Sequence, residues 1–324
     1  MSNSNVSKKA ILITGATGKQ GGATIEALLQ AGALEIHEIL AVTRNPGSGS
    51  AKKLEARGIT LVQGNLNDIP GIFSNAKAVL GAADAKVWGV FSVQLTPEYQ
   101  AAIGKGASVQ LEEVQGKALV DAALANGVKS FVYASVDRGG EQKSYDNPTG
   151  VPHFISKHNI EHHLIDSAAK ARGAMQWTIL RPVAFMENFT PGFGTKLMAT
   201  TWRVAVRDKP LQLVSVRDIG WFAAQAFLRP DDFAGRSISL AGDELTLAQA
   251  NAAFQTKIGR EMPETFQFVA RLILWLSAEF GGMFRWFYTD GFGADLKALR
   301  AEHPGLLSWS EWLDTASDWT KKTN

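Results

Sequence analysis

A short apolar segment near the start of the chain runs directly into three regularly spaced glycines. The segment ends at Gly15, Gly18 and Gly21 follow, and a helical pattern begins at once. In a parallel sheet the first glycine permits the tight turn, the second lets the backbone approach a pyrophosphate, and the third lets the helix pack closely. Because the first helical turn offers free N–H groups to an anion, the pattern predicts a dinucleotide-binding unit rather than an ordinary glycine-rich turn. The expected pyrophosphate contacts are Gly15, Thr17, Gly18, Gln20 and Gly21, and Lys19 is expected to contact the cofactor as well.

The composition excludes several classes of protein. The 324 residues include no cysteine, so disulfides, thiolate catalysis and cysteine metal sites are ruled out. A net charge of +2 is too small to indicate binding to nucleic acid or to an anionic membrane. The polar N-terminal residues predict no secretory signal, and the longest apolar segment, 266–276, is too short to span a membrane. We therefore expect a soluble, cytoplasmic protein of about two domains.

Strand-like and helix-like segments alternate over the first half of the chain. Continuous apolar runs such as 87–93 are typical of strands that are buried on both faces. Their alternation with amphipathic helices favours an α/β fold with a doubly wound parallel (Rossmann) sheet. The predicted strands are 10–14, 38–43, 60–63, 78–80, 87–93, 130–135 and 177–181. The predicted helices are 20–31, 51–57 and 112–126, the last with Val114, Leu119 and Ala122 on its buried side.

The end of the second predicted strand indicates which dinucleotide binds. Chains that bind NAD(H) usually place Asp or Glu there to hold the ribose hydroxyls, and this chain has neither between Ala41 and Pro46. It has Arg44 instead, whose guanidinium suits a 2′-phosphate, although a solvated surface arginine is the alternative. We therefore predict NADP(H) as the cofactor. Asn65 and Leu66, after the third strand, are expected to meet the adenine.

The regular alternation ends after Pro182, and the remaining residues are rich in Trp and Phe. We predict an NADP(H)-binding Rossmann domain over residues 8–186 and a smaller, mainly helical substrate or partner domain over 187–324. Strand segments near 211–216 and 237–240 are expected to rejoin the main sheet. The polar loop 137–152 follows a strand end, so it is expected either to cover a ligand site or to be a disordered excursion.

Motifs along nearly the whole chain resemble the NmrA-like branch of the atypical short-chain dehydrogenase/reductase superfamily. They are Gly15–Gly21, Val42–Pro46, Phe131–Gly140, His153–Lys157, Leu180–Pro182, Leu240–Asp243 and Gly291–Asp295, the last two being similar to fungal members. The resemblance implies a Rossmann domain, bound NADP(H), and a small C-terminal domain over the nicotinamide. Members of the family are redox-sensing regulators without turnover, quinone or double-bond reductases, or enzymes of fungal secondary metabolism. Further cofactor contacts are expected at Ser92, Val93, Ala134, Lys157 and Pro182.

One position departs from the superfamily pattern. Ordinary members carry Tyr and Lys four residues apart on one helix face; here Lys157 is kept and His153 replaces the tyrosine. The resemblance implies that Lys157 holds the nicotinamide ribose. Histidine can act as an acid near neutral pH but is shorter than tyrosine, so reduction of an unactivated ketone is disfavoured. An iminium, quinone or enone accepts hydride with less help from a protein acid, so an activated C=N or C=C group is the expected acceptor.

Two more residues are candidates for proton handling at the substrate. Ser135 ends a predicted strand beside the expected nicotinamide, with a strand-end hydrogen bond as the alternative. Glu187 lies where the chain enters the substrate side and is expected to hold a cationic amine or to act as a base, unless it is structural. The cluster at 158–163, three histidines and Glu161, lacks the H-E-x-x-H spacing. We interpret it as a polar helix face and predict no metal site.

These observations lead to two hypotheses from different functional classes. The first is an NADP(H)-dependent oxidoreductase acting on a bulky, aromatic small molecule with an activated C=N or C=C acceptor, in fungal secondary metabolism; a coupled iminium cyclisation is a variant of it. The second is a non-catalytic NADP(H) sensor that binds a protein partner such as a transcription factor. The missing tyrosine favours the sensor, and the aromatic tail favours a substrate pocket.

Overall fold

The computed structural model describes residues 8–81, 86–94 and 109–319. Its strands are β1 Lys9–Ile13, β2 His37–Thr43, β3 Thr60–Gln63, β4 Val87–Ser92, β5 Ser130–Ala134, β6 Gln176–Pro182, β7 Ala184–Phe185, β8 Leu211–Val214, β9 Arg236–Leu240 and β10 Asp243–Leu245. The α-helices of the described residues are Lys19–Gln30, Gly49–Glu55, Ile69–Leu80, Val109–Ala125, Glu141–Asp146, Pro152–Lys170, Phe193–Thr201, Val216–Leu228, Pro230–Phe233, Leu247–Ile258, Gln267–Leu276, Ala278–Thr289, Leu296–Glu302 and Trp309–Thr315. A π-helical turn, Trp202–Val206, extends the helix Phe193–Thr201.

A seven-stranded sheet forms the centre of the fold. Its strand order is β3-β2-β1-β4-β5-β6-β9, and the pairs among β1 to β6 are parallel. The strands are buried on both faces, as the consecutive residues Ile11 and Leu12 of β1 illustrate, since neighbours along a strand point to opposite faces and both are fully buried. The order reverses between β1 and β4, and ligands of such sheets bind outside the carboxyl ends of the strands at this switch point. The predicted doubly wound Rossmann sheet is therefore confirmed, with the glycine loop at the reversal.

The chain forms two compact units whose segments interleave in the sequence. The first unit comprises the described residues of Met1–Ser135, Asn159–Leu180 and Gly220–Ser237. The second comprises those of Val136–His158, Arg181–Ile219 and Ile238–Asn324. The predicted boundary at residue 186 differs from this division, because the segment Val136–His158 belongs to the second unit and the segment Gly220–Ser237 returns to the first.

A smaller sheet in the second unit corrects one topological prediction. Strand β9 joins the main sheet as expected, but β8 lies in a three-stranded sheet of order β10-β8-β7. Gln212 of β8 shows the reason, because its side chain donates to the carbonyl of Ala294 over 3.0 Å and to Glu244 over 3.1 Å. The segment near 211–216 is therefore committed to partners in the second unit, and the expectation that it rejoins the main sheet is wrong.

Two local predictions are also wrong. The segment 78–80 is not a strand but the end of the helix Ile69–Leu80, which Asp68 caps at its N-terminus and Gly81 ends in a left-handed conformation. Short apolar runs of this kind do not distinguish strand from helix. Val114 is 63% exposed rather than buried. It precedes Leu119 by five positions, about 140° around the helix, and so lies on the other side.

The aromatic tail divides into a buried and an exposed part. Phe284, Trp286 and Phe287 are buried in the core of the second unit, as expected for most of this cluster. Trp275, on the helix Gln267–Leu276, is 79% exposed, which the sequence analysis did not anticipate. Across the described ranges, every helix is either too short or too polar to cross a bilayer.

Candidate cofactor and catalytic sites

The glycine loop of the first unit has the geometry that its spacing predicts. Gly15 has a φ of +60°, in the left-handed region that favours glycine. A Cβ at Gly21 would lie 2.7 Å from the carbonyl oxygen of Thr14 and closer still to that of Gly15, so the helix Lys19–Gln30 approaches β1 only because this residue is glycine. Gly18 donates to the carbonyl of Gly15 over 2.8 Å and precedes the helix. The first helical turn therefore follows β1 after the short loop Thr14–Gly18.

A buried threonine that the sequence analysis missed fixes this loop to the neighbouring strand. Thr14 Oγ1 is placed to donate to the carbonyl oxygens of Phe91, at 3.1 Å, and Val93, at 3.0 Å. It also accepts from the backbone N–H of Val93 over 2.9 Å. The end of β1 is thus tied to the end of β4, where Ser92 and Val93 were predicted to contact the cofactor. The signal in the sequence is the polar residue that ends an otherwise apolar strand just before the first glycine.

Two glutamine side chains of the first unit, Gln20 and Gln94, offer acceptors to a ligand that carries hydrogen-bond donors. The side-chain oxygens of Gln20 and Gln94 are buried and have no hydrogen-bond partner within the described part of the chain. Gln94 donates to Ser92 Oγ through its other amide atom over 3.0 Å. A buried acceptor without a partner costs free energy, so a ligand donor that reaches it stabilises the site.

Arg44 lies exposed directly after β2, and no ion pair or hydrogen bond of its side chain occurs among residues 8–81, 86–94 and 109–319. The polar side chains around it have local partners. Asn45 N–H donates to Thr43 Oγ1 over 3.3 Å, and Asn45 Oδ1 accepts from Gly47 N–H over 3.0 Å. Ser48 caps the helix Gly49–Glu55. The guanidinium is therefore a free cation at the position where a 2′-phosphate is expected.

The two residues predicted to meet adenine also have structural contacts. Asn65 Oδ1 accepts from Asn67 N–H over 3.1 Å, and its carbonyl accepts from Asp68 N–H over 2.8 Å. These bonds shape the turn into the helix Ile69–Leu80. Leu66 packs against the apolar core of the first unit. Their contact with a nucleotide remains a prediction.

Ser135 is joined to a buried carboxylate. Its Oγ donates to Oε1 of Glu161, and Ser135 and Glu161 are 3% and 0% exposed. The neighbouring Ala134, at the end of β5, is also fully buried. Our interpretation of Glu161 as part of a polar helix face is therefore wrong. The signal was its spacing, since Glu161 and Leu164 are three positions apart on the buried side of the helix Pro152–Lys170.

The rest of the 158–163 cluster does not form a metal site within the described ranges, where no group of three or more His, Asp or Glu side chains is placed to hold an ion. His163 pairs with Asp121 over 2.7 Å at the surface of the first unit. His158 lies within 3.0 Å of the carbonyl of Tyr145 in the second unit.

His153 and Lys157 belong to the second unit. His153 Nδ1 contacts Oε1 of Glu279, and its backbone N–H donates to the same oxygen over 3.3 Å. Its ring packs edge-to-face on Phe154 with 4.5 Å between the ring centres. Lys157 is buried, 7% exposed, one helical turn further along. Glu279 was not predicted from the sequence, because no motif around it distinguishes it from the other acidic residues of the C-terminal helices.

Glu187 has a full set of structural partners in the second unit. Oε1 accepts from Ser215 Oγ over 2.9 Å and from Trp312 Nε1–H over 3.0 Å, and Oε2 accepts from Val216 N–H over 3.0 Å. Burial raises the pKa of this carboxyl, and the same hydrogen bonds partly offset that rise. The carboxylate thereby joins the start of the helix Val216–Leu228 to the helix Trp309–Thr315.

A buried aspartate orders the loop 137–152, for which the sequence left a disordered excursion open as an alternative. Asp137 is fully buried and accepts from Gly139, Gly140 and Gly293 N–H over 2.9–3.0 Å, and from the Ser144 and Ser239 hydroxyls. Its own N–H donates to the carbonyl of Pro182, a predicted cofactor contact, over 3.1 Å. The loop also contains the helix Glu141–Asp146, so it is not a disordered excursion.

With the geometry established, comparison with known proteins decides the family. The model of the NmrA-like family matches residues 7–290 of this chain. The chain belongs to the NmrA-like family. This confirms the resemblance seen in the sequence motifs.

One curated relative and two solved structures illustrate what this NmrA-like chain is similar to. The NmrA-like family domain-containing oxidoreductase ptmS of Penicillium ochrochloron is 30% identical over 189 residues, 56% of this chain and 49% of ptmS, so the match spans about half of that relative's length. The triphenylmethane reductase of Citrobacter sp., crystallised with NADP(H), has a TM-score of 0.69 and 18% identity, with 95% of this chain and 99% of that chain covered. The crystal structure of Nmra, a negative transcriptional regulator, has a TM-score of 0.66 and 18% identity, with 95% of both chains covered. At these identities the two structures support the fold alone.

Proposed function

We propose that the chain is an NADP(H)-dependent reductase. The observation that carries the proposal is Arg44, an exposed guanidinium at the end of β2 with no side-chain partner among the described residues, in a unit whose glycine loop lies at the switch point of the sheet. A glycine loop at a helix N-terminus together with an exposed arginine at the end of the next strand suits a dinucleotide that carries a 2′-phosphate. The NADP(H) complex of the similar Citrobacter reductase and the oxidoreductase name of ptmS support the same proposal.

Each group of residues then has a binding role. NADPH, when bound, supplies the hydride. The loop amides hold the pyrophosphate, Arg44 holds the 2′-phosphate, and Lys157 holds the nicotinamide ribose, as the family resemblance implies. The remaining proposed contacts are Thr17, Lys19, Gln20, Asn65, Leu66, Ser92, Val93, Ala134 and Pro182.

Proton handling is assigned to one of the three candidates. His153 is the proposed proton donor, because its Nε2 has no hydrogen-bond partner in the described part of the chain. The hydroxyl of Ser135 donates its hydrogen bond to Glu161. Its oxygen can then only accept a hydrogen bond from the substrate, so we assign it an orienting role rather than that of a proton donor. Glu187 is assigned a structural role, since both of its oxygens already accept hydrogen bonds.

The proposed substrate is a bulky, apolar molecule with an activated C=N or C=C group. A histidine in the position of the usual tyrosine suits acceptors that need little acid catalysis. Phe154, Trp286 and Phe287 form a buried aromatic cluster in the core of the second unit, with ring centres of neighbouring pairs 5.2–6.0 Å apart. Pockets for aromatic ligands are lined mainly by apolar and aromatic side chains, so we propose that the substrate binds next to this cluster. A role in fungal secondary metabolism, with a coupled iminium cyclisation as a variant, follows from the family resemblance.

The test is titration of NADPH and NADH against the unmodified protein and Arg44→Ala. We expect the variant to bind NADPH about 10- to 100-fold more weakly, because one charge-assisted phosphate contact is lost, and to bind NADH unchanged. Arg57→Ala is the matched control, since Arg57 is an exposed arginine of the same unit that pairs with Glu26 over 2.8 Å. Equal affinity of the unmodified protein for NADPH and NADH would show that the phosphate assignment is wrong.

A second candidate function is a non-catalytic NADP(H) sensor that binds a protein partner. The observation that favours it is His153 in place of the tyrosine, together with the similarity to a transcriptional regulator. NADPH oxidation with quinones, enones and cyclic iminium salts separates the two, with Lys157→Ala as the control. Turnover that depends on Lys157 supports the reductase, and NADPH binding without turnover of any of these acceptors supports the sensor.

A further inference from the structure

The imidazole of His153 is held by a carboxylate from a distant helix of the same unit. Both the Nδ1 atom and the backbone N–H of His153 contact Oε1 of Glu279, which is 126 positions further along the chain. The two side chains are only 13% and 16% exposed. Charges that are largely withdrawn from water are screened less than surface charges. Glu279 therefore fixes the position and the orientation of this ring together.

The elements around the pair are built to keep Glu279 in place. Its helix, Ala278–Thr289, begins at Ser277, whose Oγ accepts from Phe280 N–H over 3.0 Å. A Cβ at Gly281 would collide with the carbonyl oxygen of Leu274, so the preceding helix packs closely against this one there. On the other side, Glu279 faces the first turn of the helix Pro152–Lys170, where the helix dipole favours an anion.

We propose that Glu279 is a positioning residue that holds His153 in the Nδ1–H tautomer and leaves Nε2 to exchange a proton with the substrate. An ionised carboxylate only accepts hydrogen bonds, so Nδ1 must carry the hydrogen and Nε2 becomes the acceptor of the neutral ring. In the described part of the chain Nε2 has no hydrogen-bond partner. The inference rests on the proposed function for the identity of the reaction, but not for the tautomer.

The proton balance of the step is complete for an enone. The enone gains hydride at its β-carbon, and its C=C electron pair shifts to give an enolate. The enolate oxygen takes the proton from Nε2–H of the imidazolium, which becomes a neutral imidazole with Nδ1–H still bonded to Glu279. NADPH is oxidised to NADP⁺, the enone is reduced, and solvent returns the proton to Nε2.

The tautomer is measured without any turnover. In protein labelled with ¹⁵N-histidine, two-bond ¹H–¹⁵N correlation spectra at a pH where the ring is neutral distinguish the two tautomers, and the His153 signals are those lost in His153→Asn. We expect Nδ1–H as the major form in the unmodified protein and its loss in Glu279→Leu, which has no acceptor. Glu279→Gln retains an acceptor and is expected to restore part of it. A major Nε2–H form in the unmodified protein overturns the proposal.

Kinetics provide the second arm. With 2-cyclohexen-1-one, whose reduction consumes a proton, Glu279→Leu is expected to lower kcat about 100-fold. With N-methyl-3,4-dihydroisoquinolinium, which takes hydride alone, kcat is expected to stay the same. Glu264→Leu is the control, because Glu264 pairs with Arg203 elsewhere in the second unit. Equal losses with both acceptors would show a merely structural role. If the unmodified protein reduces neither acceptor, the proposed function is wrong. The NMR measurement of the His153 tautomer would still test the positioning role of Glu279.

Discussion

The two units build their candidate sites in opposite ways. In the first unit the turn of the glycine loop is made by sequence neighbours, with Gly21 packed against the backbone at Thr14 and Gly15, and Thr14 then ties this turn to β4. In the second unit His153 depends on Glu279, 126 positions away, and Asp137 depends on Gly293, 156 positions away. A site made by local backbone geometry requires particular residues at a fixed spacing, so it can be recognised in the sequence. A site assembled from distant side chains has no such spacing and cannot be recognised in this way.

The sharpest test of the local site is Gly21→Ala. The new Cβ would lie 2.7 Å from the carbonyl oxygen of Thr14 and closer to that of Gly15, and backbone cannot move aside as a side chain can. We expect the free energy of unfolding to fall by at least about 3 kcal/mol. Chemical denaturation followed by circular dichroism measures it.

The neighbouring glycine provides the control for this prediction. A Cβ at Gly22 would lie 3.5 Å from the carbonyl oxygen of Ala16, which is ordinary contact, so Gly22→Ala is expected to be neutral or stabilising. Equal destabilisation by both substitutions would mean that the helix, and not the loop contact, sets the requirement for glycine.

The second prediction concerns a long-range contact, Glu187→Leu. The change leaves the donors of Ser215, Val216 and Trp312 without their acceptor, so we expect a loss of about 2 kcal/mol at neutral pH. Denaturant melts at a series of pH values measure it. A loss within error of zero would show that these distant partners find water instead, and would weaken the contrast between the two units.

The pH dependence of this variant has a definite sign. Burial raises the pKa of Glu187 above its ordinary value of 4.5. At pH values between 4.5 and the raised pKa, the folded protein therefore binds more protons than the unfolded chain. Its contribution to stability is therefore complete below pH 4.5 and is lost as the pH rises through the raised pKa. Glu187→Leu lacks this change, so the difference between the two proteins is expected to be larger in acid. Burial also raises the pKa of Asp218, but that residue is present in both proteins and cancels in the difference.

The smallest expected effect is a gain, from Gly282→Ala. Gly282 lies inside the helix Ala278–Thr289, and a Cβ there would meet nothing within 4 Å. Alanine is favoured over glycine in a helix interior by about 0.5–1 kcal/mol, and we expect that increase in the free energy of unfolding. Thermal melts of the two proteins measure it. A decrease would reveal a close approach in the second unit that the contacts of this helix do not account for.

The sequence predicts the fold and the first unit's loop well, because both depend on short-range signals. Gly15 and Gly21 have the conformation and close packing that their spacing indicates, whereas binding of a 2′-phosphate by Arg44 stays a prediction. The strands of the main sheet are recognisable because they are apolar throughout, as with β4.

The remaining features depend on which distant segments meet. In the sequence β8 resembles the strands of the main sheet, but in the structure it pairs with β7 and β10, and its Gln212 binds partners of the second unit. Glu161 resembles a polar surface residue in the sequence because a charged side chain is normally assigned to the surface, whereas in the structure its carboxylate is buried and accepts a hydrogen bond from Ser135. Glu279 had no signal at all, since its importance lies entirely in its partner.

The buried Asp137 has a consequence for how the chain is made. One of its donors is Gly293, where a Cβ would lie 2.5 Å from the backbone of Gly139, so the two glycine segments also need each other for close packing. Translation at about 5–20 residues per second takes roughly 8–30 s to cover these 156 positions. During that interval the segment 137–152 lacks its last partner and is open to chaperones and proteases. The nascent chain therefore completes its glycine loop early and its second unit last.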